Sequence, residues 1–157
     1  MENIDLPSII LNNRQVEMDD LLTKLNYKGQ QRIAVINADE KFPAFLENKL
    51  VGVQIDKDID QRFPYEFIIL FVQHVSEVEL LAPKALHNLT SDGVLWFAYP
   101  KKTSKKISSD IDRDHGWEVL INRGFDKVRL IAIDDNWSAL RFRNVRFIKS
   151  THGRFSQ

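Results

Sequence analysis

The sequence contains no cysteine. That excludes disulfides, a thiolate nucleophile, cysteine-held zinc and iron–sulfur clusters, and it suits a reducing compartment, so a cytoplasmic location is expected. Glycine-based motifs are missing as well. No phosphate-binding Walker loop occurs, and no Gly-x-Ser-x-Gly elbow surrounds Ser76 or Ser138, which leaves neither serine the setting of a nucleophile. Long apolar runs are also absent. The longest, Phe67 to Val72, is far too short to cross a bilayer. The first residues, Met-Glu-Asn-Ile-Asp, are acidic and lack the basic start and apolar stretch of a signal peptide. Acids are absent from the end of the chain: none follows Asp135, whereas Arg141, Arg143, Arg146, Lys149 and Arg154 do.

What is present describes one globular domain. The 157 residues suit a single core, and 43% hydrophobic with 28% charged residues argues against wholesale disorder. Lysine and arginine balance the acids at 22 each, which makes nucleic acid an unexpected partner despite a second basic cluster at Lys101, Lys102, Lys105 and Lys106. Residues 1–16 read as an extension lying against the domain, 17–149 as the domain, and 150–157 as a flexible tail.

Periodicity sets out the elements. Met18, Leu21, Leu22 and Leu25 form a helical stripe. Arg32–Asn37 and Glu66–Gln73 are nearly continuous apolar runs, the mark of strands buried on both faces. Between them lie a helix started by Pro43 and a short strand at Val51–Ile55. Ser76 with Glu79 reads as a capping box opening a helix that Pro83 should kink or divide. After an Asp92-Gly93 turn come a strand at Gly93–Tyr99, a helix near Asp112–Arg123 stopped by Gly124, and a strand at Lys127–Ile133. A tight turn leads to Trp137–Arg143, with Leu140 and Phe142 facing in and Arg141 and Arg143 facing out. Helices alternating with buried strands predict a Rossmann-like α/β domain, its sheet mostly parallel with a C-terminal antiparallel hairpin.

Two stretches carry a resemblance. Phe67 to Tyr99, with "Gln-His-Val" at a strand end and "Leu-Thr-Ser-Asp-Gly-Val-Leu-Trp-Phe" beyond a helix, resembles the centre of a class I methyltransferase. "Leu-Trp-Phe-Ala-Tyr-Pro-Lys-Lys" (95–102) followed by "Asp-Asp-Asn-Trp-Ser-Ala-Leu-Arg-Phe" (134–142) resembles a family of small bacterial proteins of unknown function with a methyltransferase-like fold. The resemblance implies that fold. It implies S-adenosylmethionine (SAM) only where the turn after the first strand carries the glycines that let backbone approach the cofactor. Here that turn is Asn37-Ala38-Asp39-Glu40-Lys41, without glycine and with two acids. Asp56 matches the acid that would hold ribose hydroxyls.

Ligands of open α/β sheets bind outside the carboxyl ends of the strands, which singles out the residues following them. Asn37 follows the first strand. His74 follows the strongest one and is a candidate general base. Lys101 and Lys102, with Thr103 and Ser104 beside them, form a candidate anion site, and Trp137 could add a stacking face at the same rim. The spacing of Asp56, Asp58 and Asp60 lacks the glycine and glutamate of a calcium loop and reads as a solvated acidic loop. His74, His87, His115 and His152 show no metal spacing, so no metal is expected. The leading reading is a non-catalytic or vestigial methyltransferase-like domain that binds a small anionic ligand or a protein partner, with no cofactor and no membrane. The alternatives are a SAM-dependent methyltransferase and a nucleic-acid-binding module. Oligomeric state is not legible.

Overall fold

The computed structural model describes residues 20–104 and 106–148. The expected extension and tail lie outside the described residues. Among these residues, six strands form one sheet: β1 (Arg32–Ile36), β2 (Gln54–Asp56), β3 (Tyr65–Phe71), β4 (Leu89–Pro100), β5 (Phe125–Ala132) and β6 (Trp137–Asn144), in the order β2-β1-β3-β4-β6-β5. β1 pairs in parallel with β2 and β3, and β3 with β4. β6 runs antiparallel between β4 and β5. The mostly parallel sheet with its antiparallel C-terminal pair is the one the sequence pattern predicts. Helices α1 (Lys41–Lys49), α2 (Val75–Asn88) and α3 (Glu118–Ile121) pack on it, along with a helical turn over residues 20–24.

The unbroken apolar strands explain the layers. Side chains alternate across a strand, so a run without polar residues needs cover on both faces. On one face Ala34, Ile68, Leu70, Leu95 and Phe97 pack against Val78, Ala82 and Ala85 of α2 and against Trp117 and Leu120. On the other, Ile33, Val35, Ile69 and Trp96 pack against Leu25, Phe42 and Leu46.

Several local expectations are corrected. The second strand begins at Gln54, because residues 50–53 form a turn in which Gly52 takes φ +84° and Val51 is exposed. α2 starts one residue before Ser76: His74 is its N-cap, and Glu77, not Glu79, reaches back to the backbone N–H groups of Gln73 (2.7 Å) and His74 (3.1 Å). Pro83 does not divide α2. The hydrogen bond it removes would have ended on the carbonyl of Glu79, a residue on the exposed face where water can take its place. The helix foreseen at Asp112–Arg123 shrinks to Glu118–Ile121, since residues 112–115 form an isolated bridge instead. Asp92 and Gly93 lie within β4 as an irregularity in its pairing rather than preceding the strand. Arg141 does not simply face out. It sits opposite Trp96 in the pairing, half-buried, with its Nε buried and unpartnered, and its pKa is lowered by burial and then by Arg143.

Trp96 is fully buried, and its indole N–H donates to the carbonyl of Leu25 at 2.8 Å, tying the segment before β1 to the middle of β4. Trp96→Ala should therefore cost about 3–5 kcal/mol. Trp96→Phe should cost less, but more than a surface change, because it leaves that carbonyl unpaired. Urea midpoints of the three proteins check the order, and an unchanged midpoint for the alanine variant contradicts it.

Candidate functional site

Strand order reverses at β1, whose neighbours β2 and β3 receive connections on opposite sides. The carboxyl ends of β1 and β3 thus border the crevice in which open α/β sheets bind ligands. The turn after β1 opens this edge. Asn37 adopts φ +62°, the left-handed backbone that a glycine takes without strain. The turn therefore keeps its bend without glycine. Its donors are another matter. Asp39 Oδ1 accepts from the backbone N–H of Lys41 (3.0 Å) and Phe42 (3.5 Å), Pro43 has no N–H, and Ala44 donates to Glu40 (3.1 Å). The first turn of α1 is satisfied from within by a carboxylate, where an anionic ligand group would need those donors.

Asp56 ends β2 opposite Ala34, the middle of β1. Its carboxylate turns toward the amino edge, to side chains that begin the neighbouring strands: it accepts a short hydrogen bond from the Tyr65 hydroxyl and one from Arg32 Nε at 2.8 Å, with Gln54 adding a third at 2.9 Å. Burial pushes the Asp56 pKa up, but the bonds from Tyr65, Gln54 and Arg32 outweigh it and hold the group below the ordinary carboxylate range. Arg32 also binds Asp60 (3.0 Å) and lies 4.2 Å from the centre of the Phe63 ring. Asn88 Nδ2 donates to the carbonyls of Asp60 and Phe63. The acidic loop is thus not merely solvated, since Arg32 clamps two of its three aspartates. No group of three or more metal-ligating side chains occurs among the described residues.

His74 is exposed, with Nδ1 at 3.6 Å from Asp110, whose carboxylate accepts from the N–H of Val75 (2.9 Å). It lines neither of the two cavities at this edge described next. One, of about 430 Å³, contains Lys101 and Lys102 together with Tyr99, Asp112, Arg113, Asp114 and Ser138. Lys102 Nζ lies 3.4 Å from Asp112, so bases here face acids. Burial opposes charge on Asp112, yet His115, the N–H of Asp114 and Lys102 together lower its pKa to about 2. Burial, with Asp112 adding, pushes the Tyr99 hydroxyl up to about 12.

The other cavity, of about 320 Å³, lies across the sheet. Its walls are Phe42, Phe45, Phe71 and Trp137 with Leu21 and Ile133, and Asp39, Lys41 and Asp134 also line it. Trp137 stands 5.1 Å from Phe71, centre to centre, and Phe71 stands 5.2 Å from Phe42. The hairpin register explains the separation: Ser138 pairs with Tyr99, and Trp137 with Pro100, so the two residues point to opposite faces. Trp137 and the two lysines thus share the carboxyl edge, where the N–H of Lys101 donates to the carbonyl of Asn136 at 2.8 Å, but they line different cavities on opposite faces. Phe42, Phe45 and Phe71 were not foreseen as site residues, because aromatic side chains at helical and strand spacing read as core.

No protein-family model matches the chain, and no curated protein matches it. Solved structures do. The chain is similar to magnesium protoporphyrin IX methyltransferase from Synechocystis with bound SAM (TM-score 0.52, 12% identity, covering 92% of this chain and 86% of that one). It is similar to the N-methyltransferase NodS from Bradyrhizobium japonicum in complex with S-adenosylhomocysteine (TM-score 0.50, 10% identity, 85% and 86% covered). A chain of the fibrillarin/Nop5p complex is also similar (TM-score 0.51, 9% identity, 74% of each chain covered). At such identities the likeness is one of fold: a methyltransferase-like Rossmann domain.

Two predictions follow from these contacts. Asp56 is held below its ordinary pKa of about 3.9, so its contribution to stability is complete above that value and is lost as pH falls through the lower folded-state value. Arg32→Gln removes part of that depression. Its urea midpoint should lie furthest below wild type near neutral pH and converge on it under acid, whereas a gap independent of pH would contradict the ionic role. For the lysines, phosphate and sulfate should stabilise wild type and Lys101→Ala/Lys102→Ala alike, by exclusion from the surface. A gain in thermal midpoint confined to wild type, at matched ionic strength, would instead establish an anion site.

Proposed function

We propose that this chain is a methyltransferase-fold domain that binds a ligand at the carboxyl edge of its sheet and does not transfer methyl groups. The observation that carries this reading is the internal satisfaction of both groups a cofactor would use. Asp39 takes the N–H groups of the first turn of α1, and Asp56 is engaged by Tyr65, Arg32 and Gln54 on the side away from the edge. A cofactor would have to displace the Asp39 carboxylate at one point and share, at the other, an Asp56 carboxylate that already accepts three hydrogen bonds. The aromatic cavity supports ligand binding, being concave, mostly apolar and at the low end of the roughly 300–1,000 Å³ typical of small-molecule sites. In the lysine cleft Asp112 and Asp114 offset two of the three bases, Lys101, Lys102 and Arg113, so it supports an anionic ligand less strongly than its lysines alone suggest.

Two other readings draw on particular observations. The left-handed Asn37 preserves the bend of a cofactor turn, which favours a SAM-dependent enzyme. A protein of this fold is part of the fibrillarin/Nop5p complex, which agrees with a protein partner. Nucleic-acid binding gains nothing: Arg143 is tied bidentately to Asp92 by two bonds of 2.8 Å, and Arg141 is half-buried.

Calorimetry with millimolar SAM should show no saturable heat. Saturable binding, followed by methylation of any acceptor, would overturn the reading and leave an active methyltransferase in its place.

A further inference from the structure

The aromatic cavity has a chemical character that narrows its ligand. Its walls are the rings of Phe42, Phe45, Phe71 and Trp137, and its polar lining is two carboxylates, Asp39 and Asp134, against the one ammonium of Lys41. Both aspartates are exposed, while Phe42 is buried and Phe45 and Trp137 are half-buried. Each carboxylate is fixed by its own turn. Asp39 Oδ1 accepts from Lys41 and Phe42, and Asp134 Oδ1 accepts from the N–H groups of Asn136 (2.8 Å) and Trp137 (2.9 Å). Each Oδ2 makes no hydrogen bond to the described residues. Two carboxylates fixed by their turns thus keep an uncommitted acceptor oxygen each in the lining of a cavity walled by aromatic rings, whose negative quadrupoles attract cations.

We infer that this cavity binds a small organic monocation, an ammonium carried on an aromatic or branched aliphatic body, with the body among Phe42, Phe45, Phe71 and Trp137 and the cationic head between Asp39 and Asp134. The inference rests on the reading of the carboxyl edge as a ligand site and names the ligand class of one half of it. Apolar burial supplies most of the attraction and does not distinguish one head group from another. The carboxylates and rings supply the discrimination: a neutral head forgoes the ionic contact, and an anionic head meets like charge.

Three probes with one body and different heads test this: phenylethylammonium, 2-phenylethanol and phenylacetate, titrated at low salt and followed by calorimetry and by Trp137-sensitive fluorescence. The cation should saturate, the alcohol should bind on the order of tenfold more weakly, and the anion should bind more weakly still. Raising the salt should narrow the gap between cation and alcohol. The variant Asp39→Asn/Asp134→Asn retains side-chain oxygens for both turns, so it should keep the wild-type thermal midpoint and the alcohol affinity while losing most of the preference for the cation. Phe45→Leu keeps an apolar wall and should weaken the cation more than the alcohol. The inference is overturned if phenylacetate binds as well as the amine, if none of the three saturates, or if the double variant keeps the full cation preference. SAM titrated into the same protein reads the broader proposal separately: its binding and turnover would overturn that proposal whatever the amine does, and the amine series would overturn this inference whatever SAM does.

Discussion

The central pair of parallel strands, β3 and β4, is buried on both faces, and the rest of the molecule is arranged around that burial. Ile68, Ile69 and Leu70 pair with Leu95, Trp96 and Phe97, and all six are fully buried. Each contributes about 1.5–3 kcal/mol by leaving water, against about 0–1 kcal/mol for an exposed ion pair. The core therefore decides the fold, and the charged contacts adjust it. A sheet with no polar face must be covered above and below, so α2 and α3 take one side and the 20–24 turn and α1 take the other. What remains open to a ligand is the rim.

At the rim the polar chemistry turns inward. Asp39 accepts from two N–H groups of the first turn of α1, and Asp56 bonds to Tyr65 and Arg32. Asp112 gathers His115 and Lys102. Asp56 and Asp112 are each engaged by several of the protein's own groups, whereas Asp39 commits one of its two oxygens. The aromatic cavity is the part of the edge where apolar surface remains open beside acceptors that are only half used.

Arg32 illustrates how one residue joins the two sides of the design. It starts β1, stacks on Phe63, and holds Asp56 and Asp60 at once. Through it the loop between β2 and β3 is drawn against the amino edge, where Asn88 at the end of α2 fastens the same loop by its backbone carbonyls. Asp56, which ends β2, is thereby part of a structural clamp.

The fold class was legible in the residues alone. Apolar runs such as Ile33–Ile36 and Phe67–Val72 require burial on two faces wherever they lie, and Gly124 takes the left-handed φ of +86° in the turn that leads from α3 into β5. Local signals decided less where two choices competed over one or two residues. The cap of α2 fell to His74 because Glu77 could reach two backbone N–H groups from there, and no pattern in Ser76 or Glu79 announces that reach. The candidate site was legible only by its edge. Asn37, Lys101 and Lys102 follow strand ends, and strand ends are written in the sequence. The partners of those residues come from segments remote in the chain, as Asp56 meets Arg32 and Lys102 meets Asp112. Which face Trp137 joins depends on the pairing register of the hairpin, where a shift of one residue exchanges the faces. Periodicity determines that a side chain is buried. Only the packing of distant strands decides what it is buried against, and that decided the aromatic cavity.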